Sequence, residues 1–147
     1  MRSAIIRKLA TVQADDAVTL RSTGDARDSG ARLANQTRVF AQSLNLSSPL
    51  LTAIEKRAQV DVSGNLTMQS TGEGGHTHAL IGSKADIKIG GEMALTSGAK
   101  ATIGKQAKVN VSGNLQMEAG SAAQCTVSGS ASVSFVSKSG ICAPFLP

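Results

Sequence analysis

At 147 residues the chain is long enough for one ordinary domain and too short for more than two. Trp and Tyr are absent and Phe stands only at 40, 135 and 145, which excludes an aromatic-rich globular core; Val, Ile, Leu, Met and Ala must pack in thin layers or draw on neighbouring chains. The net charge of +5 comes from basic residues scattered mostly singly (Arg21, Arg32, Lys84, Lys105, Lys138) without interleaved aromatics, which argues against a nucleic-acid groove.

In chain order, Ala4-Ile5-Ile6 is too short for the apolar stretch of a signal peptide, and Arg7-Lys8 interrupts it. No apolar run approaches the length that spans a bilayer. Ala10–Ala14 and Ala17–Leu20 alternate like strands, while Asp25–Gln36, with Ala26, Ala31, Leu33 and Ala34, reads as a short helix or a loop. These segments set residues 1–36 apart as an N-terminal region.

Further along, the sequence repeats itself. Ile54-Glu55-Lys56-Arg57-Ala58-Gln59-Val60-Asp61-Val62-Ser63-Gly64-Asn65-Leu66-Thr67-Met68 returns as Ile103-Gly104-Lys105-Gln106-Ala107-Lys108-Val109-Asn110-Val111-Ser112-Gly113-Asn114-Leu115-Gln116-Met117. Leu44–Ser48 lies over Met93–Ser97 in the same register. Inside this repeat sits a shorter unit, apolar-x-apolar, a Gly turn, apolar-x-apolar. It appears at Val60/Val62 with Leu66/Met68, Ile87/Ile89 with Met93/Leu95, Val109/Val111 with Leu115/Met117, and Cys125/Val127 with Ala131/Val133/Phe135.

Such short runs of period two, punctuated by glycine, predict short half-buried strands turning sharp corners, hence an all-β fold of β-solenoid or β-helix type. A β-sandwich would carry longer strands, larger core residues and no internal repeat. The unit starts at Val60, Ile87, Val109 and Cys125 are irregularly spaced, which points to three interwound chains. The expected axial core is then Val60, Val62, Leu66, Met68, Val109, Val111, Leu115 and Met117, with an obligate homotrimer as the folded unit.

Both histidines fall in Gly74-Gly75-His76-Thr77-His78. One reading is a polar surface turn. The other uses strand geometry, in which residues two apart share a side: on a threefold axis, six imidazoles would suit an octahedral first-row metal such as Fe(II) or Ni(II), with no position open for catalysis. Catalytic residues are not expected, because no Ser/His/Asp order, Cys/His pairing or phosphate loop has supporting context. Cys125 and Cys142 lack zinc or redox spacing and read as two buried reduced thiols in a cytoplasmic product. Residues 138–147 turn apolar and carry two prolines, Pro144 and Pro147, predicting a tip cap with Phe145 and Leu146 packed inside and Ile141 beside them.

The Val-Asn-Val-Ser-Gly-Asn-Leu-Gln-Met repeat, together with Gly75-His76-Thr77-His78, resembles the central spike proteins of contractile phage tails, the baseplate assembly protein V group, R-type bacteriocin spikes and type VI secretion needle tips. The resemblance covers residues 37–137 and implies a trimeric needle-like β-helix shaft there, with 1–36 as the region attached to a baseplate hub protein and 138–147 as the tip. It implies a structural, non-enzymatic role: puncture of the host outer membrane on sheath contraction, by a virion component made in the bacterial host cytoplasm that binds no nucleic acid. It further implies one iron ion per trimer held by His76 and His78. The rival reading is a bactofilin-like single-chain β-helix that polymerises into cytoskeletal filaments.

Overall fold

The computed structural model describes residues 3–23, 30–72 and 74–146. Short strands joined by tight corners wind into a three-faced solenoid. The first coil holds β1 (Ala4–Ile6), β2 (Thr11–Gln13) and β3 (Ala17–Arg21). The second holds β4 (Gly30–Leu33), β5 (Arg38–Ala41) and β6 (Ser43–Ser48). The third holds β7 (Leu51–Ile54), β8 (Gln59–Val62) and β9 (Leu66–Ser70), and the fourth β10 (His78–Ile81), β11 (Asp86–Ile89) and β12 (Met93–Ser97). The fifth holds β13 (Lys100–Ile103), β14 (Lys108–Val111) and β15 (Asn114–Glu118), and the sixth β16 (Cys125–Val127), β17 (Ser132–Ser134) and β18 (Ser137–Ser139).

Every coil gives one strand to each face, so the faces are three parallel six-stranded sheets: face 1 from β1 to β16, face 2 from β2 to β17, face 3 from β3 to β18. The period-two alternation explains the interior. Inward residues stack in columns, Ile6-Leu33-Ile54-Ile81-Ile103-Val127 on face 1 and Val12-Val39-Val60-Ile87-Val109-Val133 on face 2. Face 3 stacks Val18-Leu44-Leu66-Met93-Leu115 and then breaks the column with Lys138. Burying each such aliphatic side chain contributes about 1.5–3 kcal/mol, which replaces the missing aromatics by repetition. Val60, Val62, Leu66, Met68, Val109, Val111, Leu115 and Met117 all lie in this interior, buried.

The corners differ in chemistry. Between faces 2 and 3 the backbones of successive coils close in, and a Cβ at Gly64 would come within 2.6 Å of the Gln42 carbonyl oxygen. Between faces 1 and 2 the turn uses no glycine in its left-handed position: Leu9, Gln36, Arg57, Lys84 and Gln106 all have φ between 57° and 67°. Between faces 3 and 1 a ladder of buried serines, Ser48, Ser70 and Ser97, turns the chain. Their hydroxyls accept backbone N–H groups of Leu50, Thr52 and Ala99 at 3.1–3.2 Å, satisfying donors that the corner takes out of the sheet ladder.

Two expectations change here. The coils close within one chain, each strand pairing with strands of the preceding and following coils, so the chain has its own interior. The irregular spacing has a different cause. The register partner of Val109 is Val133, not Cys125, which belongs to face 1. Along face 1, 27 residues separate Ile54 from Ile81 and 22 separate Ile81 from Ile103, so the long internal repeat is one long coil plus one short coil. The extra residues of the long coil sit in the corner that carries the histidine pair. Of residues 1–36, those in 3–23 and 30–36 also join the solenoid, and Gly30–Leu33 is a strand where a helix or loop was expected; 25–29 of that segment lies outside the described residues. The boundary drawn at residue 37 does not interrupt the stacking, since Leu33 and Val39 occupy neighbouring faces of one coil.

Candidate functional site

The histidine pair occupies the face 3–face 1 corner of the fourth coil. Ser70 at the end of β9 donates its hydroxyl to the His78 carbonyl (2.8 Å) while accepting from the Thr52 backbone, and the His78 N–H donates to the Leu50 carbonyl at 2.8 Å. These bonds fix the first residue of β10. Thr77 is fully buried between the two histidines, His76 is exposed and His78 is half-buried. His76 lies in the turn before β10, outside the strand, and with Thr77 buried between them the two histidines sit on the outer side of the corner.

The His78 Nε2 lies 2.8 Å from Thr102 Oγ1 on β13, a contact that sequence reasoning missed. It becomes visible only once the short coil is known, because that coil sets Leu80 beside Thr102 and His78 beside Lys100. Burial, and after it the Lys100 ammonium, hold the His78 imidazole below its ordinary value of 6.5, so the neutral ring is favoured. A neutral imidazole is a competent metal ligand, but this one shares its Nε2 with a hydroxyl. No group of three His, Cys, Asp or Glu side chains converges among the described residues, so one chain supplies two imidazoles at most. The set does not fit an iron ion within a single chain.

On the outer surface of face 2, Phe40, Gln59, Asp61, Asp86 and Lys88 line a recess, and Phe40 also borders a second one with Gln13, Asp15 and Ser63. The first is open to solvent, and Phe40 itself is 40 % exposed.

The two ends of the solenoid are unlike. After β18 the chain reverses at Gly140, whose φ of 98° demands glycine, and folds back over the last coil. The Ile141 N–H donates to Glu118 Oε1 (3.1 Å) and the Cys142 N–H to the Met117 carbonyl (3.0 Å). A single 3₁₀ turn, Ala143–Phe145, then returns the chain to Lys138, whose Nζ donates to the Leu146 carbonyl at 3.1 Å. Cys142 and Leu146 are buried, whereas Ile141 and Phe145 stay 43 % and 48 % exposed; of the three expected tip residues only Leu146 plugs the interior.

Cys142 is bonded to Cys125 with a Cα–Cα distance of 5.5 Å, which corrects the expectation of two reduced thiols. The spacing of 17 residues carries no signal on its own; the fold-back of the tail brings the pair together. At the opposite end, Ala4, Ile6, Val12, Ala14 and Val18 are only partly buried, although their partners one coil on (Ala31, Leu33, Val39, Ala41, Leu44) are at most 8 % exposed. Among the described residues this end has no equivalent of the stapled tail.

Comparison with protein-family models, with curated proteins and with solved structures returned no match.

Proposed function

We propose that the chain is a structural, non-enzymatic rod that takes a neighbour at its first coil and presents its last coil as a free tip, in the manner of the membrane-piercing spike of a contractile injection machine. The observation that carries this reading is the difference between the ends: an apolar, partly exposed first coil against a last coil closed by a disulfide-stapled tail. Parallel ladders on three faces make a stiff shaft, and a covalent link at the extremity opposes the peeling of the last coil under load. In this reading a baseplate hub protein receives the first coil and the host outer membrane meets the tip. Homotrimer assembly, an iron ion at His76 and His78, and a place in the virion belong to the same reading. The iron ion requires chains to meet at the corner between faces 3 and 1, because one chain supplies too few ligands.

A second reading rests on one specific observation. Closure of the coils within a single chain fits a bactofilin-like rod that polymerises end to end at least as well as an interwound spike.

Light scattering of the oxidised protein, with metal analysis of the same sample, separates the two. A discrete mass supports the spike, and three chains with about one iron per trimer would add the axial clamp. Filaments support the cytoskeletal rod, and a discrete species without iron removes the clamp alone.

A further inference from the structure

Basic residues that look scattered in the sequence are gathered by the coil repeat. The corner between faces 1 and 2, with the first outward position of face 2, carries Arg7 and Lys8 in the first coil and Arg38 in the second. Lys56 and Arg57 follow in the third, Lys84 in the fourth, Lys105 and Lys108 in the fifth. All eight are exposed. Of the two acids near them, Glu55 is taken by Arg32 at 3.4 Å and only Asp86 remains. The next corner, between faces 2 and 3, has no Lys or Arg and carries Asp15, Asp16 and Glu92. Charge is thus sorted across the prism.

The turns of the ridge are stacked in register by their backbone. The left-handed residue of each turn donates its N–H to the same turn one coil on: Leu9 to Asn35, Gln36 to Lys56, Arg57 to Ser83, Lys84 to Lys105, at 2.9–3.2 Å. Parallel strands stack about 4.8 Å apart, so the charges from the first to the fifth coil span about 20 Å along one edge. Arg57 and Lys84 keep long cationic side chains at positions where glycine would relieve the left-handed backbone. Leu9, 66 % exposed, and Ile5, 41 % exposed, sit at the first-coil end of the same edge.

We propose that this edge docks the rod lengthwise on an anionic lipid surface, with the Lys and Arg ammonium and guanidinium groups on the headgroups and Leu9 set among the acyl-chain ends. A convex edge of stacked turns presents its charges to a flat surface without a groove having to form. A nucleic-acid strand would be expected to use a groove with stacked aromatics, and the ridge itself has none. The inference concerns the side of the rod and is independent of which end is the tip.

The test is flotation of the oxidised protein with vesicles of phosphatidylcholine alone or with phosphatidylserine added. Two triple variants of equal net charge are compared, Lys56→Gln/Lys84→Gln/Lys105→Gln on the ridge and Arg21→Gln/Lys88→Gln/Lys100→Gln away from it, each checked for wild-type circular dichroism. The wild type is expected to float only with phosphatidylserine vesicles and to be released by about 0.5 M salt. The ridge triple should lose on the order of 100-fold in partitioning and the off-ridge triple far less. Should the ridge triple misfold, Leu9→Ser alone must still weaken flotation several-fold. Absence of binding to phosphatidylserine vesicles, or equal loss in both triples, overturns the proposal. So does ridge-dependent binding of an oligonucleotide without vesicle binding, which would reassign the edge to nucleic acid.

Discussion

The first and last coils are built from the same three-strand unit and end differently. In the last coil, β17 and β18 read Ser-Val-Ser and Ser-Lys-Ser, the face 3 column closes on Lys138, and the tail is bonded to β16 through Cys125. Short, polar strands and a charge placed in an apolar column are ways of stopping a sheet from growing. In the first coil the equivalent columns begin with Ala4, Ile6, Val12 and Val18, apolar and half covered. One pattern, repeated without change, would leave both ends open to a further coil. The departures from the repeat therefore decide which end is closed.

The largest expected contrast is between one column's ends. Val39→Asp puts an unpaired carboxylate in the interior and should cost about 3–5 kcal/mol, whereas Val12→Asp, one coil earlier on the same column, should cost about 1 kcal/mol or less. Urea titrations of both variants check it, and similar losses would mean that the first coil is covered. Next comes the staple: Cys142→Ser should lower stability by about 2–4 kcal/mol, with no further loss on adding Cys125→Ser. Superimposable melts of wild type with and without reductant would contradict this. Ser70→Ala is smaller, about 1–3 kcal/mol, because the Thr52 N–H and the His78 carbonyl lose a buried partner.

The smallest effect belongs to His78. Its folded value lies below 6.5, so protonation favours the unfolded chain. Stability should be full above pH 6.5, fall as the pH drops through that value and level off below the folded one; His78→Gln should flatten this step. A melting temperature that rises on acidification through the same range, and does so only with His78 present, would reverse the assignment.

Much of this architecture is legible in the sequence where glycine marks a corner. Ser63-Gly64-Asn65, Gly90-Gly91-Glu92 and Ser112-Gly113-Asn114 announce the turns between faces 2 and 3, and the strands on either side, β8 with β9, β11 with β12 and β14 with β15, follow from alternation. Face 1 is hidden for two physical reasons. Its outward positions include Leu51, Ala53 and Leu80, which blur the alternation, and its corner into face 2 is turned by Arg57, Lys84 or Gln106 in place of glycine. Without the third strand of each coil, Cys125 looked equivalent to Val109 and the spacing looked irregular. The His78–Thr102 contact and the disulfide depend on that same register and on a tail that folds back, neither of which leaves a local mark.

In the proposed rod, the disulfide-closed last coil, unlike the first, does not accept a neighbour. The most direct test of this is the mass in solution measured by light scattering before and after reduction, with electron microscopy of both samples. The expected result is a discrete species when oxidised and growth to larger end-to-end assemblies once the tail is released. Long filaments in the oxidised sample, or a mass unaffected by full reduction of Cys125 and Cys142, would contradict it.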